Sequence, residues 1–288
     1  MRGRVAVFGP GLIGGSVAMA LRDLSTGRGV TLWGRDRAIL DEALSLGLAD
    51  RIETDPAAAV AEASLVVLCT PVGAMEPLAK AIAPSLGAEC LVTDAGSVKH
   101  SVTERLAPVL GSRFVGAHPM AGSERSGLGA ARADLFREAP CIVTPREDSD
   151  PEAVRRISEF WASLGCRISS MPPAEHDRLA ARISHLPHAL AFALVNLVLD
   201  TLPEGAQCLA GGSFRDATRV AASNPALWTG ILAENRTEVA ASLREMAKLL
   251  KSMASALGEE KTDSLLDFLT RAKEHRDSLA SSANAPDA

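Results

Sequence analysis

The sequence predicts an α/β protein in two parts: an N-terminal Rossmann-type parallel-sheet domain over residues 1–172, then an all-helical C-terminal dimerisation domain over residues 173–288. Three observations predict it. Short apolar runs alternate with helical stretches up to about residue 170, as in a parallel sheet covered on both faces. A glycine-rich turn follows the first run, and no strand signal returns after Met171-Pro172-Pro173. A chain of 288 residues has room for two domains of ordinary size.

Taken in order, the runs at 4–8, 30–33, 65–70, 90–93, 114–117, 140–144 and 166–169 read as strands. The segments 16–24, 38–46, 74–82, 98–110 and 151–164 read as helices between them. Residues 174–202 read as one long helix, with Pro187 as a bend or junction because it removes a backbone donor. Its stretch 189–199 is apolar nearly all round. That is too apolar for the outside of a small bundle and predicts a homodimer through the helical domain. Asn224 and Pro225 have the residue types of a helix cap and first turn. The helix they open carries Leu227, Ile231, Leu232, Val239, Leu243, Met246, Leu250 and Met253 at helical spacing and should stop near Gly258. A last helix covers about residues 262–279.

Composition narrows the function. The net charge of −5 and the aromatic content of 3%, with no Tyr, argue against a nucleic-acid partner. No unbroken apolar run reaches the length of a membrane span, so no membrane partner is expected. Cys69, Cys90, Cys141, Cys166 and Cys208 have no paired short spacing. Four of them lie in apolar runs, which predicts free thiols in a reducing cytoplasm and no metal site.

The turn after the first strand reads Gly9-Pro10-Gly11-Leu12-Ile13-Gly14. Gly9 permits a tight turn, Gly11 lets a pyrophosphate approach the backbone, and Gly14 lets the helix pack on the strand. Its place after a strand and before a helix supports dinucleotide binding. The second strand ends in Arg35-Asp36-Arg37. Asp36 could accept from an adenosine ribose, which favours NAD, whereas Arg35 and Arg37 could grip the extra phosphate of NADP. Thr70-Pro71 should line the cofactor's other side.

Two further segments fall at expected strand ends, where ligands of open α/β sheets bind. They are Asp94-Ala95-Gly96-Ser97-Val98-Lys99 and His118-Pro119-Met120-Ala121-Gly122-Ser123-Glu124. The helical half adds His185-Leu186-Pro187-His188 and Phe214-Arg215-Asp216-Ala217-Thr218-Arg219. By residue type alone, His118 is either a base or a structural histidine. Ser97 and Lys99 are either site residues or a helix start and a solvated charge.

Together and in this order, these blocks resemble the prephenate/arogenate (cyclohexadienyl) dehydrogenase family of tyrosine biosynthesis. The resemblance covers about residues 4 to 275. It implies NAD(P)-dependent oxidative decarboxylation of a small-molecule cyclohexadienyl substrate. It implies His118 as the catalytic histidine that engages the ring hydroxyl, with Ser97 beside it. It further implies Arg219 on a substrate carboxylate, His188 or else His185 at the substrate side chain, and Glu124 and Asp216 shaping access. Lys99 is carried over as a further substrate contact. The chemistry asks for the same parts: a neutral imidazole for the hydroxyl proton and a bidentate cation for a carboxylate.

Two other readings compete. A β-hydroxyacid dehydrogenase of similar architecture usually places a catalytic lysine in or near its second domain, and residues 174–247 contain none. A non-catalytic nucleotide-binding relative need not carry Ser97, His118 and Arg219 together.

Overall fold

A computed structural model describes residues 3–282 except 25, 26, 28 and 204, so residues 1–2 and 283–288 at the ends of the two predicted domains lie outside it. Strands β1 (Arg4–Phe8), β2 (Val30–Trp33), β3 (Arg51–Glu53), β4 (Ala63–Leu68) and β5 (Leu91–Asp94) form an all-parallel sheet in the order β3-β2-β1-β4-β5. Alternate side chains enter different cores, which is why the runs are apolar throughout. Val5, Val7, Leu32, Leu65 and Val67 pack with Val17, Leu40, Ile157 and Trp161 on one face. Ala6, Phe8, Trp33, Val66 and Leu68 pack with Val60, Met75, Ile82 and Leu106 on the other. The first face is covered by α1 (Leu12–Asp23), α2 (Arg37–Ser45) and α6 (Pro151–Ser163), the second by α3 (Pro56–Val60), α4 (Val72–Ile82) and α5 (His100–Leu110). Asp36, Asp55 and Asp150 start α2, α3 and α6 by accepting from the amide two residues on, at 2.9, 3.1 and 2.9 Å. The sequence reading passed over β3, which has one apolar residue, and α3, which is little more than a turn.

A second sheet holds β6 (Gly116–Pro119), β7 (Pro140–Thr144) and β8 (Arg167–Ser170). β7 and β8 are parallel, but β6 and β7 are antiparallel, which corrects the expectation of a wholly parallel arrangement. A parallel return needs a long crossover. α6 supplies one between β7 and β8, whereas the segment between β6 and β7 holds only a short 3-10 turn, Leu128–Ala130. A single bridge, Val92 to Phe114, joins β5 to the segment leading into β6.

In the helical half, α7 (Pro173–Ala180) passes through a π turn, Ala181–His185, into α8 (Leu186–Leu199). The junction expected from Pro187 is thus a widened turn immediately before it, where a missing amide is tolerated. α9 (Gly212–Thr218) leads through a 3-10 turn, Arg219–Ala222, to α10 (Pro225–Glu234). Asn224 caps α10, accepting from Ala226 and Leu227 at 2.9 and 3.2 Å. The single helix expected up to Gly258 is broken at Asn235, and α11 (Arg236–Gly258) and α12 (Thr262–Ser282) follow.

By its packing the chain divides into two compact units, Met1–Val239 and Ala240–Ala288. The strands do end at Ser170. However, Asp177 of α7 accepts from the Lys99 and His100 amides that open α5. Arg105 of α5 also holds Glu234 of α10 by two contacts of 3.0 and 2.8 Å. These ties make α7 to α10 part of the first unit.

In α8 only Ala191 is buried, and Leu197 is 65% exposed. The continuous helical run Pro173–Leu199 is long and apolar enough to cross a membrane by length and composition. Polar residues such as Asp177, Arg178 and Arg182 interrupt it, so the sequence shows no unbroken apolar run of that length.

Candidate active site

The strand order reverses between β1 and β4, which places Gly9 and Cys69-Thr70-Pro71 at a topological switch point beyond the carboxyl ends of these strands. Gly9 takes φ +97°, and a Cβ there would lie 2.9 Å from the Cys69 carbonyl. A Cβ on Gly14 would overlap the Gly9 carbonyl. At Gly11 a Cβ would meet no protein atom within 4 Å, so its smallness leaves open space at the start of α1. That start has no side-chain cap, and Leu12 and Ile13 form its first turn. The Thr70 hydroxyl is buried with no partner among the described residues, and Pro71 opens α4. Free amides at an uncapped helix start, open space and an orphaned hydroxyl fit a pyrophosphate-bearing dinucleotide. Arg35, Asp36 and Arg37 are exposed at the end of β2. Asp36 caps α2 through one oxygen, and Arg37 pairs with Asp41 at 2.9 Å.

His118 ends up buried on β6, 6% exposed. Its Nδ1 lies 2.8 Å from Nε2 of His176, and His176 Nδ1 lies 2.7 Å from Oδ1 of Asp177. Burial, and then the neighbouring His176, Lys99 and His185, hold the His118 pKa well below the ordinary histidine value. At neutral pH it is an uncharged imidazole able to take a proton.

Lys99 does not reach outward as a substrate contact. Its side chain is wholly buried, its ammonium pairs with Asp94 and donates to the Ala117 carbonyl at 2.8 Å. Asp94 at the end of β5 needs a counter-ion there, and the short turn back into α5 puts Lys99 against it. Ser97 is half-buried in that same turn.

His185 sits fully buried in the π turn, 3.1 Å from the Asn235 amide nitrogen, and burial pushes its pKa down to about 4. His188 is half-buried on α8 and stacks on Trp228 with ring centroids 3.7 Å apart. Burial is the main cause of its lowered pKa, and the Arg219 charge adds to it. Arg219 is 63% exposed and pairs with Glu124 at 2.9 Å. Asp216 is exposed on α9, and the structure brings it to none of these groups.

The fold thus gathers His118, His185, His188, Arg219 and Glu124 from both halves of the sequence. Reading the sequence missed His176, Asp177, Trp228 and Asn235. His176 is 58 positions from His118, and no local spacing connects them. A His-Asp step in the first turns of a helix was the one available signal.

Residues 17–170 match the family model described as the nucleotide-binding domain of prephenate dehydrogenase, and residues 172–271 that of its dimerization domain. The chain is 37% identical over 276 residues to a cyclohexadienyl dehydrogenase of Zymomonas mobilis, covering 94% of each. It is 35% identical to the prephenate dehydrogenase of Bacillus subtilis, covering 97% of this chain and 76% of that one. Among solved structures, an Aquifex aeolicus prephenate dehydrogenase in complex with hydroxyphenyl propionate and NAD+ superposes with a TM-score of 0.92 at 31% identity, over 97% of this chain and 98% of that one. A Synechocystis arogenate dehydrogenase gives 0.81 at 31% identity, over 96% and 99%. On these matches, which run the length of both halves, the chain belongs to the prephenate/arogenate dehydrogenase family.

Proposed function

We propose that this protein oxidatively decarboxylates prephenate, arogenate or both, with NAD as cofactor. The observation that carries the reading is the buried, uncharged His118 at the carboxyl end of β6, in a chain whose relatives are dehydrogenases of these substrates. Gly9, Gly11, Gly14 and the start of α1 hold the dinucleotide, whose bound form supplies the hydride acceptor. His118 takes the proton of the ring hydroxyl as the carbonyl forms. Ser97 steadies that hydroxyl from the turn after β5. Arg219 receives a substrate carboxylate, displacing or sharing Glu124, and His188, backed by Trp228, lines the side-chain pocket. Loss of carbon dioxide then aromatises the ring, which drives the reaction without further help from the protein.

The uncovered apolar side of α8 supports a homodimer, since the helical half matches a dimerization domain. Free cysteines, of which Cys90, Cys141 and Cys166 are buried, support a cytoplasmic location.

The experiment is a two-by-two kinetic comparison of prephenate and arogenate with NAD and NADP, followed at the reduced-nicotinamide band. Turnover of at least one substrate, with NAD preferred, is expected. A 3-hydroxyacid turned over while both cyclohexadienyl acids are refused would replace this reading. Light scattering at micromolar protein should give twice the chain mass.

A further inference from the structure

Reading His118 as a proton acceptor requires one bare ring nitrogen, and the hydrogen bonds around the ring decide which it is. Asp177 anchors the chain of bonds. Its Oδ1 accepts from the Lys99 amide at 2.7 Å and its Oδ2 from the His100 amide at 2.9 Å. Burial acts to raise its pKa, but His176 and these two amides outweigh it, and the carboxyl stays below its ordinary value. An ionised carboxylate can only accept. His176 Nδ1, 2.7 Å from Oδ1, is therefore the donor. His176 is itself buried and held uncharged at neutral pH, with burial the main cause. Its one proton is on Nδ1, so its Nε2 is bare and accepts. His118 Nδ1, 2.8 Å away, must then donate to it. His118 is also uncharged, so its Nε2 carries the lone pair.

We propose that His176 and Asp177 are positioning residues that lock His118 in the Nδ1-protonated tautomer, making Nε2 the atom that receives the proton of the substrate's ring hydroxyl. In that transfer the hydroxyl O–H bond breaks, its electron pair stays on oxygen, and an N–H bond forms at Nε2. The resulting imidazolium keeps its Nδ1–H on His176, whose own donor faces the carboxylate. The charged and titratable groups around His118 are Asp94 at the end of β5, Lys99 at the start of α5, His176 and Asp177 on α7, and His185 in the π turn. The Lys99 ammonium disfavours the imidazolium, and the Asp177 carboxylate, relayed by His176, offsets it. This deepens the proposed function and rests on it for the identity of the proton donor, but the tautomer itself can be read without turnover.

The test is nitrogen NMR of the intact protein labelled in its histidine rings, with His118 assigned from the signals lost in His118→Asn. Near neutral pH, Nδ1 of His118 should be protonated and Nε2 bare. A protonated Nε2 overturns the proposal, and it does so even if neither cyclohexadienyl acid is turned over, so the two readings fail separately. Kinetics of His176 variants give the second arm. His176→Phe fills the space but removes the acceptor. It should lower kcat about 10- to 100-fold, within the range of general-base contributions, and move the acid limb of kcat/KM, with NAD affinity unchanged. His176→Gln can offer its amide oxygen to Nδ1 and should recover most of that loss. An unaltered tautomer and pH profile in His176→Phe, or no recovery in a folded His176→Gln, would reduce His176 to a packing role.

Discussion

Lys99 and Asp94 form a wholly buried ion pair that grips both backbone groups of Ala117. The ammonium donates to the Ala117 carbonyl at 2.8 Å, and the carboxylate accepts from the Ala117 amide at 3.3 Å. Asp94 also accepts from the Gly96 amide at 2.8 Å. The pair thereby ties β5 to β6 at the residue before His118, where the two sheets have little strand pairing of their own.

Removing one partner strands the other charge in the core. Lys99→Met should cost about 3–5 kcal/mol, the usual penalty for breaking a buried pair from one side. Lys99→Met combined with Asp94→Asn should recover part of it, but not all, because the Gly96 and Ala117 amides still need an acceptor. Urea unfolding of the three proteins measures this. A Lys99→Met variant within 1 kcal/mol of the parent, about the size of a surface pair, would show that the pair is not a strut.

Much of the fold was legible because its signals are local. The glycine turn, the capping residue Asn224 and the proline junction at residue 187 each act within a few positions. What stayed hidden depends on distant partners. The orientation of β6 follows from what the chain does between residues 120 and 139, not from β6 itself. Lys99 reads as a free cation until Asp94 is seen beside it. Asn235 lies inside a helical apolar pattern, yet its side chain is spent on the Asp177 carbonyl and His185, and the helix breaks there. His176 and Asp177 offer only a bare His-Asp step, because their partners are His118 and the turn before α5.

One substitution separates the helix cap that Asp36 makes from the cofactor contact proposed for it. Asp36 caps α2 through one oxygen, and the proposed NAD preference assigns the other oxygen to a ribose hydroxyl. Asp36→Ser keeps a competent cap while removing the carboxylate that disfavours a phosphate. The ratio of kcat/KM for NADP over NAD should rise at least about tenfold, or about 1.4 kcal/mol, with the melting temperature little changed. Arg35 is the cation better placed to help, since Arg37 is already paired with Asp41. A parent enzyme that prefers NADP would assign the site to the arginines instead.

Acid should destabilise the protein earlier than its carboxylates alone predict. His118, His176 and His185 are all buried with pKa values below the ordinary 6.5, His185 at about 4. The unfolded chain binds protons at these positions from about pH 6.5 downward, and the folded chain does not. Stability is therefore full above that pH and falls with acidification through the window from 6.5 toward 4. Asp177, whose pKa is lowered from 3.8, adds its loss only below that window. Urea midpoints measured across it should decline steadily. A flat profile down to pH 4.5 would mean these rings are charged or solvated in the folded state.

The Arg219–Glu124 pair is exposed enough to open. Surface pairs contribute about 0–1 kcal/mol, so a substrate carboxylate can take the place of Glu124 at small cost. Arg219→Ala should raise KM far more than it lowers kcat, because the carboxylate is held similarly in ground and transition states. Arg219→Lys should rescue only in part, since the ammonium keeps the charge but loses the bidentate fork. Glu124→Gln removes the competing anion and should lower KM by no more than about fivefold, the equivalent of roughly 1 kcal/mol. Arg215, in the preceding turn of α9, serves as the control, and Arg215→Ala should leave KM unchanged. Steady-state kinetics on the four variants decide the matter. A large rise in KM for Arg215→Ala with none for Arg219→Ala would move the carboxylate site one turn back along α9.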